Sequence, residues 1–453
     1  MTNYAIILAA GQGKRMKDNL PKCLHLILKK PMVKYVYDAI DRDLFNKVIL
    51  VSNEEAKDQF VTILGDEITL AIQKDKLGTG DALRVGASKL EDLDGYTLVL
   101  PGDVPLIDYE DLKVFYDTIT TSNADLGVLT TTMEDPTNYG RIIRKNNNVI
   151  AIREQFDLNY DEFDIKEVNT GIYLIKNTII NDLLAKMSSG KCYLNTIVEV
   201  ALKTGLKVLS YTSSKPNCYL DINDYYTLSI VERQIKINTN KKHLLNGVNI
   251  ISPETVTISS EVEIEAGVTI YPNTFITGKS YIHQGAEIGP DSELHNSIVD
   301  NNAVVRHSLV TDSHVGANTT VGPFAHLRMN TSVEANCRIG NFVEIKNSKI
   351  GEGTKISHLT YLGDTTCGKN VNWGCGCVTV NYDGKFKNKT YIGDNVFIGC
   401  NTNLIAPLSV GNNVFIAAGS TITDDIPDEA FSIARTRQIT KEDYARKYSY
   451  TKK

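Results

Sequence analysis

The feature that most limits what this chain can fold into is a period of six. From Ile258 an aliphatic residue returns at every sixth position, through Ile264, Ile270, Ile276, Ile282 and Ile288 to Leu294. The phase slips, then resumes at Val315, Val321, Leu327, Val333, Ile339 and Ile345, and again at Ile350, Ile356 and Leu362. A last run goes from Ile392 through Ile398, Leu404, Val410 and Ile416 to Ile422. Four residues after most of these comes a small side chain, as at Thr274, Ala286, Thr319, Thr354, Thr402 and Ser420. Helices repeat at 3.6 residues and strands at 2, so neither yields a six. The pattern is the hexapeptide repeat of a left-handed parallel β-helix, in which an aliphatic and a small residue fill each corner of the coil. Cys337 and Cys377 fall at the small position and read as core fillers. Prisms of this kind associate about threefold axes with ligands between chains, so a homotrimer is expected.

The first 223 residues follow another rhythm. The segments "YAIILAA", "KVILVS", "YTLVLPGD", "ADLGVLTTTM" and "GIYLI" read as strands separated by amphipathic stretches. That alternation predicts an α/β, Rossmann-like domain with a mostly parallel sheet, whose ligands bind beyond the carboxyl ends of the strands. Residues 224–246 read as a linker helix, 247–434 as the β-helix and 435–453 as a basic tail with seven cations against Glu442 and Asp443. Such a tail is either solvated or placed to help hold a phosphate-rich ligand.

Composition narrows the classes. At 453 residues the chain needs two or three domains, and its net charge of −6 gives no reason to expect a nucleic-acid partner. No stretch approaches the roughly 18 apolar residues of a membrane span, and the apolar run Ala5–Ala10 is too short for a signal peptide. Eight cysteines without a C-x-x-C pair in a chain this long fit reduced thiols and a cytoplasmic location.

Four features of the first half point to phosphate chemistry, and each has a plain structural alternative. The turn Gly11–Lys14 offers backbone N–H groups for phosphates, with Arg15 and Lys22 adding charge, but Met16 breaks G-x-G-x-x-G and the P-loop spacing is missing. Asp103 ends an apolar strand, which suits a Mg²⁺ ligand or a turn cap equally. Gln73 carries an amide suited to a base edge, and the turn at Gly78 and Thr79 allows close approach. "NYGRI" and "EVNTGIY" set small polar groups beside glycines, suitable for sugar hydroxyls.

In the β-helix, Arg328 and Lys346 lie 18 residues apart, one coil, each one place after an inward aliphatic. Two stacked cations with no carboxylate between them suit a sugar phosphate, though a solvated basic face fits as well. His358 follows the inward Ile356 by two residues and should leave the prism, with Tyr361, Asn372, Asn381 and Tyr382 within about a coil. An imidazole there could take a proton from an amine attacking a thioester, or be merely exposed. Trp373 occupies an aliphatic position, where it either reshapes a pocket or bulges the coil.

Taken in order, "LAAGQGKRM", "PKCLH", "QKDKLGTGDA", "GDVPLI", "NYGRI" and "EVNTGI" resemble the sugar-phosphate nucleotidyltransferases. With "GPFAHLR", "GNFVEIKN", "SHLTYLGD", "NYDG" and "IAAGSTIT", nearly the whole chain resembles the bacterial bifunctional N-acetylglucosamine-1-phosphate uridylyltransferase / glucosamine-1-phosphate acetyltransferase family. That resemblance implies acetyl transfer from acetyl-CoA to glucosamine 1-phosphate, then uridylyl transfer from UTP to N-acetylglucosamine 1-phosphate. It implies that Leu8, Ala9, Ala10, Gly11, Arg15, Lys22, Gln73, Gly78 and Thr79 hold the nucleotide, and that Asp103 and Asn223 bind Mg²⁺. Gly140, Glu154, Asn169, Thr170 and Asn223 complete the UDP-sugar site. In the β-helix it implies His358 as general base and Arg328 and Lys346 on the sugar phosphate. Tyr361, Asn372, Asn381 and Tyr382 contact the amino sugar, the last two grouped also with Cys400, Ala418 and Arg435 at the acetyl-CoA site. Lys14, Asp81, Tyr225 and Cys400 depart from the family's usual threonine, histidine, arginine and serine, and "REQFD" lacks the lysine usual after its glutamate. The competing expectation is a single-activity sugar-1-phosphate nucleotidyltransferase whose β-helix is structural or regulatory.

Overall fold

The structure is a computed structural model describing residues 2–75, 77–187 and 192–448, without the side chains of residues 14, 446 and 448. The Lys14 side chain and the last five residues of the basic tail therefore lie outside the described residues. The chain forms two compact units, Met1–Ile235 and Lys236–Lys453, with the boundary inside the helix Tyr225–Leu245.

The first unit is built on a sheet of β1 (Tyr4–Leu8), β2 (Lys47–Ser52), β3 (Ile68–Ile72), β4 (Tyr96–Pro101), β5 (Leu126–Thr132), β6 (Arg141–Lys145), β7 (Asn148–Arg153), β8 (Glu167–Lys176) and β9 (Val208–Ser213). Its main path runs β9-β5-β8-β4-β1-β2-β3, and the β6–β7 hairpin attaches through β8. The runs Tyr4–Ile7 and Leu98–Leu100 are buried because helices cover both faces of these central strands, so apolar residues need not alternate with polar ones. The sheet is mixed. β8 runs antiparallel to both β4 and β5. Between β5 and β8 the chain forms a hairpin with Asn146 and Asn147 at φ of 50° and 67°, not a crossover helix, so it re-enters the sheet reversed. Leu8 pairs with Pro101 at the carboxyl ends of β1 and β4, and the Gln73 N–H donates to Ser52 O at the end of β2, 2.8 Å. Three candidate loops thus open at one edge.

The second unit is the left-handed parallel β-helix. Its aliphatics stack in columns. One runs Ile258, Ile276, Leu294, Val310, Leu327, Ile345 and Leu362. A second joins Ile282, Val299, Val315, Val333 and Ile350, and a third Ile288, Val305, Val321, Ile339 and Ile356. Every aliphatic named from the sequence is buried except Ile264, which is half-buried. Each sequesters enough apolar surface to contribute on the order of 2 kcal/mol. The phase slip after Leu294 arises because several corners take five residues, placing Val299, Val305 and Val310 in the columns. Trp373 does not bulge the coil. It sits in register between Ile356 and Ile398, buried, with its indole N–H on Cys367 Sγ at 3.5 Å. Cys337 and Cys377 are buried as corner fillers, and all eight cysteines are free.

Candidate functional site

The carboxyl edge of the first sheet opens on a cavity of about 940 Å³, room for a nucleotide with a sugar. Leu8, Ala10, Gly11, Lys22, Gln73, Gly78, Thr79, Asp103, Gly140, Glu154, Asn169 and Thr170 all line it. Gly78 must be glycine: φ is +103° and a Cβ would meet Cys192 O at 2.3 Å. Thr79 Oγ1 accepts from the Leu194 N–H at 2.9 Å, and Thr170 Oγ1 donates to Leu129 O at 2.7 Å, fastening cavity walls to the sheet and its neighbouring loop. Asn169 Nδ2 donates to the Tyr173 hydroxyl at 2.8 Å. Glu154 Oε1 accepts from Asn195 Nδ2 at 2.7 Å, and burial, then Asp157, raise its pKa above the ordinary carboxylate range.

Three expected residues sit elsewhere. Ala9 is fully buried and its N–H donates to Val51 O at 2.9 Å, so it supports the wall from behind. Arg15, on the 3₁₀ turn Lys14–Met16, is exposed outside the lining. Asn223 also lies off the wall and joins the site through Lys22.

Lys22 itself is already engaged. Its Nζ lies 2.5 Å from Asp103 Oδ2 and 2.7 Å from Asn223 Oδ1. An ammonium held between a carboxylate and an amide oxygen marks a point where two hard oxygens converge on a cation. That donor set suits a divalent ion that keeps several waters and takes its other ligands from substrate phosphates. Among the described residues no cluster of three His, Cys, Asp or Glu side chains forms a protein-only metal cage. The sequence reading missed Asp221, whose Oδ2 accepts from Asn223 Nδ2, and Tyr139, whose hydroxyl accepts from the Asp221 N–H at 3.3 Å. The only sequence cue was a carboxylate two places before the amide in "LDIND".

In the β-helix, Arg328 and Lys346 are direct partners across adjacent coils, and Lys346 pairs in turn with Gly363. The expectation of no intervening carboxylate is corrected: Glu344 Oε1 takes Arg328 Nε at 2.8 Å and Nη2 at 2.5 Å. Residues 344 and 346 project from one face of their strand, so Glu344 lies diagonally opposite Arg328. A third cation missed from sequence, Lys387, stands beside the buried Lys346, and its side-chain hydrogen bond, then burial, then its charge, depress the Lys346 pKa. A Cβ on Gly363 would meet Tyr361 Oη at 2.5 Å and Asn381 Nδ2 at 2.6 Å, so the missing side chain leaves the gap over which both converge. Asn381 Nδ2 also donates to Asp364 Oδ2 at 2.6 Å.

Other candidates form a separate column. His358 pairs with Asn341, the flanking pairs Ile356–Trp373 and Tyr361–Val378 set Cys375 beside His358, and the N–H groups following Cys375, Cys400 and Ala418 each donate to the preceding coil: Gly376 N–H to Leu359 O at 2.9 Å, Asn401 N–H to Cys375 O and Gly419 N–H to Cys400 O, both 2.8 Å. His358, Cys375, Cys400 and Ala418 are therefore stacked, and all four are exposed. Asn372 stands on another column, between Lys355 and Phe397. Tyr382 is exposed in the insertion that interrupts the repeat, and Arg435 is exposed at the head of the tail. Within one chain the cation cluster and the His358 column remain distinct groups.

Comparison with known proteins gives a consistent assignment along the chain. Residues 4–222 match the nucleotidyl transferase family model, and residues 389–424 match the bacterial transferase hexapeptide model of six repeats. A protein of Acholeplasma laidlawii described as bifunctional protein GlmU is 49% identical over 98% of this chain and 98% of its own length. One of a Geobacillus species with the same description is 43% identical over 99% of each, and one of an Exiguobacterium species is 42% identical over 99% of this chain and 100% of its own.

Proposed function

The chain belongs to the bifunctional GlmU family, and from that premise we propose how its own residues divide the two reactions. It is a bifunctional enzyme that acetylates glucosamine 1-phosphate from acetyl-CoA, then transfers uridylyl from UTP to N-acetylglucosamine 1-phosphate with release of pyrophosphate. Residues 1–223 carry uridylyl transfer, 224–246 link, 247–434 carry acetyl transfer and 435–453 form the tail. The observation that carries the division is the presence, in each unit, of its own polar cluster suited to a different chemistry.

For uridylyl transfer, Gln73, Gly78 and Thr79 hold the base, and the Gly11 turn faces the triphosphate, towards which Arg15 reaches from outside the lining. Gly140, Glu154, Asn169 and Thr170 orient the sugar so that its phosphate oxygen attacks the α-phosphorus in line with the departing pyrophosphate. Such a transfer depends on positioning and charge neutralisation and needs no covalent enzyme intermediate. Mg²⁺ held by Asp103 and Asn223 supplies charge neutralisation when bound, a role supported by the convergence of their oxygens on Lys22 Nζ. With those oxygens given to the ion, the Lys22 ammonium would be available to the phosphates.

For acetyl transfer, Arg328, Lys346 and Lys387 hold the sugar phosphate, and Tyr361, Asn372 and Asn381 orient the amino sugar. His358 takes the proton from the amine as it attacks the thioester carbonyl. Tyr382, Cys400, Ala418 and Arg435 line the coenzyme site. That the cation cluster and the His358 column form separate groups within one chain favours a homotrimer in which neighbouring chains complete each site. The enzyme acts in the cytoplasm on small molecules; among the described residues no helix is long and apolar enough to cross a membrane.

The test is a coupled reaction with glucosamine 1-phosphate, acetyl-CoA, UTP and Mg²⁺, read by mass spectrometry with one component omitted at a time. UDP-N-acetylglucosamine appears only in the complete mixture. Free thiol still accumulates without UTP, and pyrophosphate appears without acetyl-CoA once N-acetylglucosamine 1-phosphate is supplied. Pyrophosphate release with no thiol release under any condition would favour the single-activity enzyme.

A further inference from the structure

Gln73 is almost completely buried in the wall of the nucleotide cavity, and its amide is not free to choose which end it presents. Both hydrogens of Nε2 are directed into protein: one to Gly78 O at 3.1 Å, the other to Asp81 Oδ2 at 2.9 Å. Neither acceptor can donate in return, since one is a backbone carbonyl and the other a carboxylate whose second oxygen takes Arg84 Nη1 at 3.2 Å. Turning the amide over would set Oε1 against two acceptors and lose both bonds. Among the described residues Gln73 Oε1 has no protein partner, and it is not among the sealed, unsatisfied atoms, so it is the end left to the cavity.

We propose that Asp81 is a positioning residue that fixes the base specificity of uridylyl transfer by locking Gln73 as a hydrogen-bond acceptor. An acceptor at the base edge requires an N–H on the ring. Uracil offers N3–H. Cytosine has the same size and shape but a lone pair at N3, so it faces Gln73 Oε1 acceptor to acceptor. A site built to satisfy a substrate N–H rejects the analogue lacking it strongly, because its buried acceptor is left unpaired. The discrimination between UTP and CTP therefore resides in a residue that touches neither nucleotide.

This inference rests on the uridylyl-transfer reading, and the test separates the two. kcat and KM for UTP and for CTP are measured by pyrophosphate release in the wild-type enzyme and in Asp81→Asn. Asparagine keeps the shape but can either accept from Gln73 Nε2 or donate to Oε1, so the amide can turn. The wild type is expected to favour UTP at least 100-fold in kcat/KM, and Asp81→Asn to lower that ratio at least tenfold, chiefly through a lower KM for CTP. Asp81→Ser, whose hydroxyl also donates and accepts, repeats the test if the asparagine variant folds poorly. A ratio unchanged in both variants, or activity with both nucleotides lost in equal proportion, overturns the inference, as does a wild type indifferent to the base. A wild type that releases no pyrophosphate from UTP overturns the uridylyl-transfer reading and this inference with it.

Discussion

Replacing Gly363 with alanine separates the stability of the β-helix from the work of its sugar-phosphate site. The new Cβ would lie 2.5 Å from Tyr361 Oη and 2.6 Å from Asn381 Nδ2, so both polar ends must retreat by about 1 Å to reach ordinary contact. Both are side-chain ends able to swing, and Gly363 is not among the positive-φ glycines, so the backbone accepts alanine. The lost glycine freedom in the unfolded chain gives back about 0.4–1 kcal/mol, and global stability should stay within about 1 kcal/mol of wild type. The site does not adapt as easily. A misplacement of about 1 Å in groups that orient a substrate can lower the rate about 100-fold, equivalent to about 2.7 kcal/mol of barrier. Steady-state thiol release should show that loss in kcat/KM for glucosamine 1-phosphate. Pyrophosphate release in the same preparation should stay at the wild-type level, since Gly363 belongs to the second unit. Acetyl transfer within twofold of wild type would refute the placement of substrate over Gly363.

Two further outcomes concern the scaffold. Trp373→Ala removes the largest side chain in its column, and the β-helix should lose about 3–5 kcal/mol in denaturant unfolding, with a lower midpoint and an unchanged slope. His243 is buried near the start of the second unit, and burial, then Lys242, lower its pKa below the ordinary imidazole value. The unfolded chain therefore binds the proton first. Stability should be complete above about pH 6.5 and fall as pH drops through that value toward the lower folded pKa, and His243→Gln should flatten the fall in a thermal-unfolding series.

The scaffold of the second unit was legible because its rule is local: one aliphatic in six must point inward, and Ile258, Ile282 and Ile339 do so wherever the chain closes a coil. The slip after Leu294 was visible as an interruption, but its cause, five-residue corners at Val299 and Val310, needed the stacking register. Columns were legible and diagonals were not. The spacing of 18 paired Arg328 with Lys346, whereas Glu344 reaches Arg328 from the neighbouring position on the same strand face. Lys387 escaped because it lies in an insertion that keeps no period. In the first unit the motifs marked the loops around the cavity but not which side chains hold each other, so the Lys22 bridge and the Asp81 clasp on Gln73 emerged only from the fold. The reversed β8 was hidden because strand direction depends on what connects strands, and the β6–β7 hairpin carries no apolar period that distinguishes it from a crossover.

The central claim is that one chain runs two chemistries at two independent sites, and crossed variants test it most directly. Asp103→Asn and His358→Ala are each assayed for pyrophosphate release from UTP with N-acetylglucosamine 1-phosphate, and for thiol release from acetyl-CoA with glucosamine 1-phosphate. Asp103→Asn should abolish the first and leave the second at the wild-type rate, and His358→Ala should do the reverse. Loss of both activities in either variant, or acetyl transfer undiminished in His358→Ala, would contradict it.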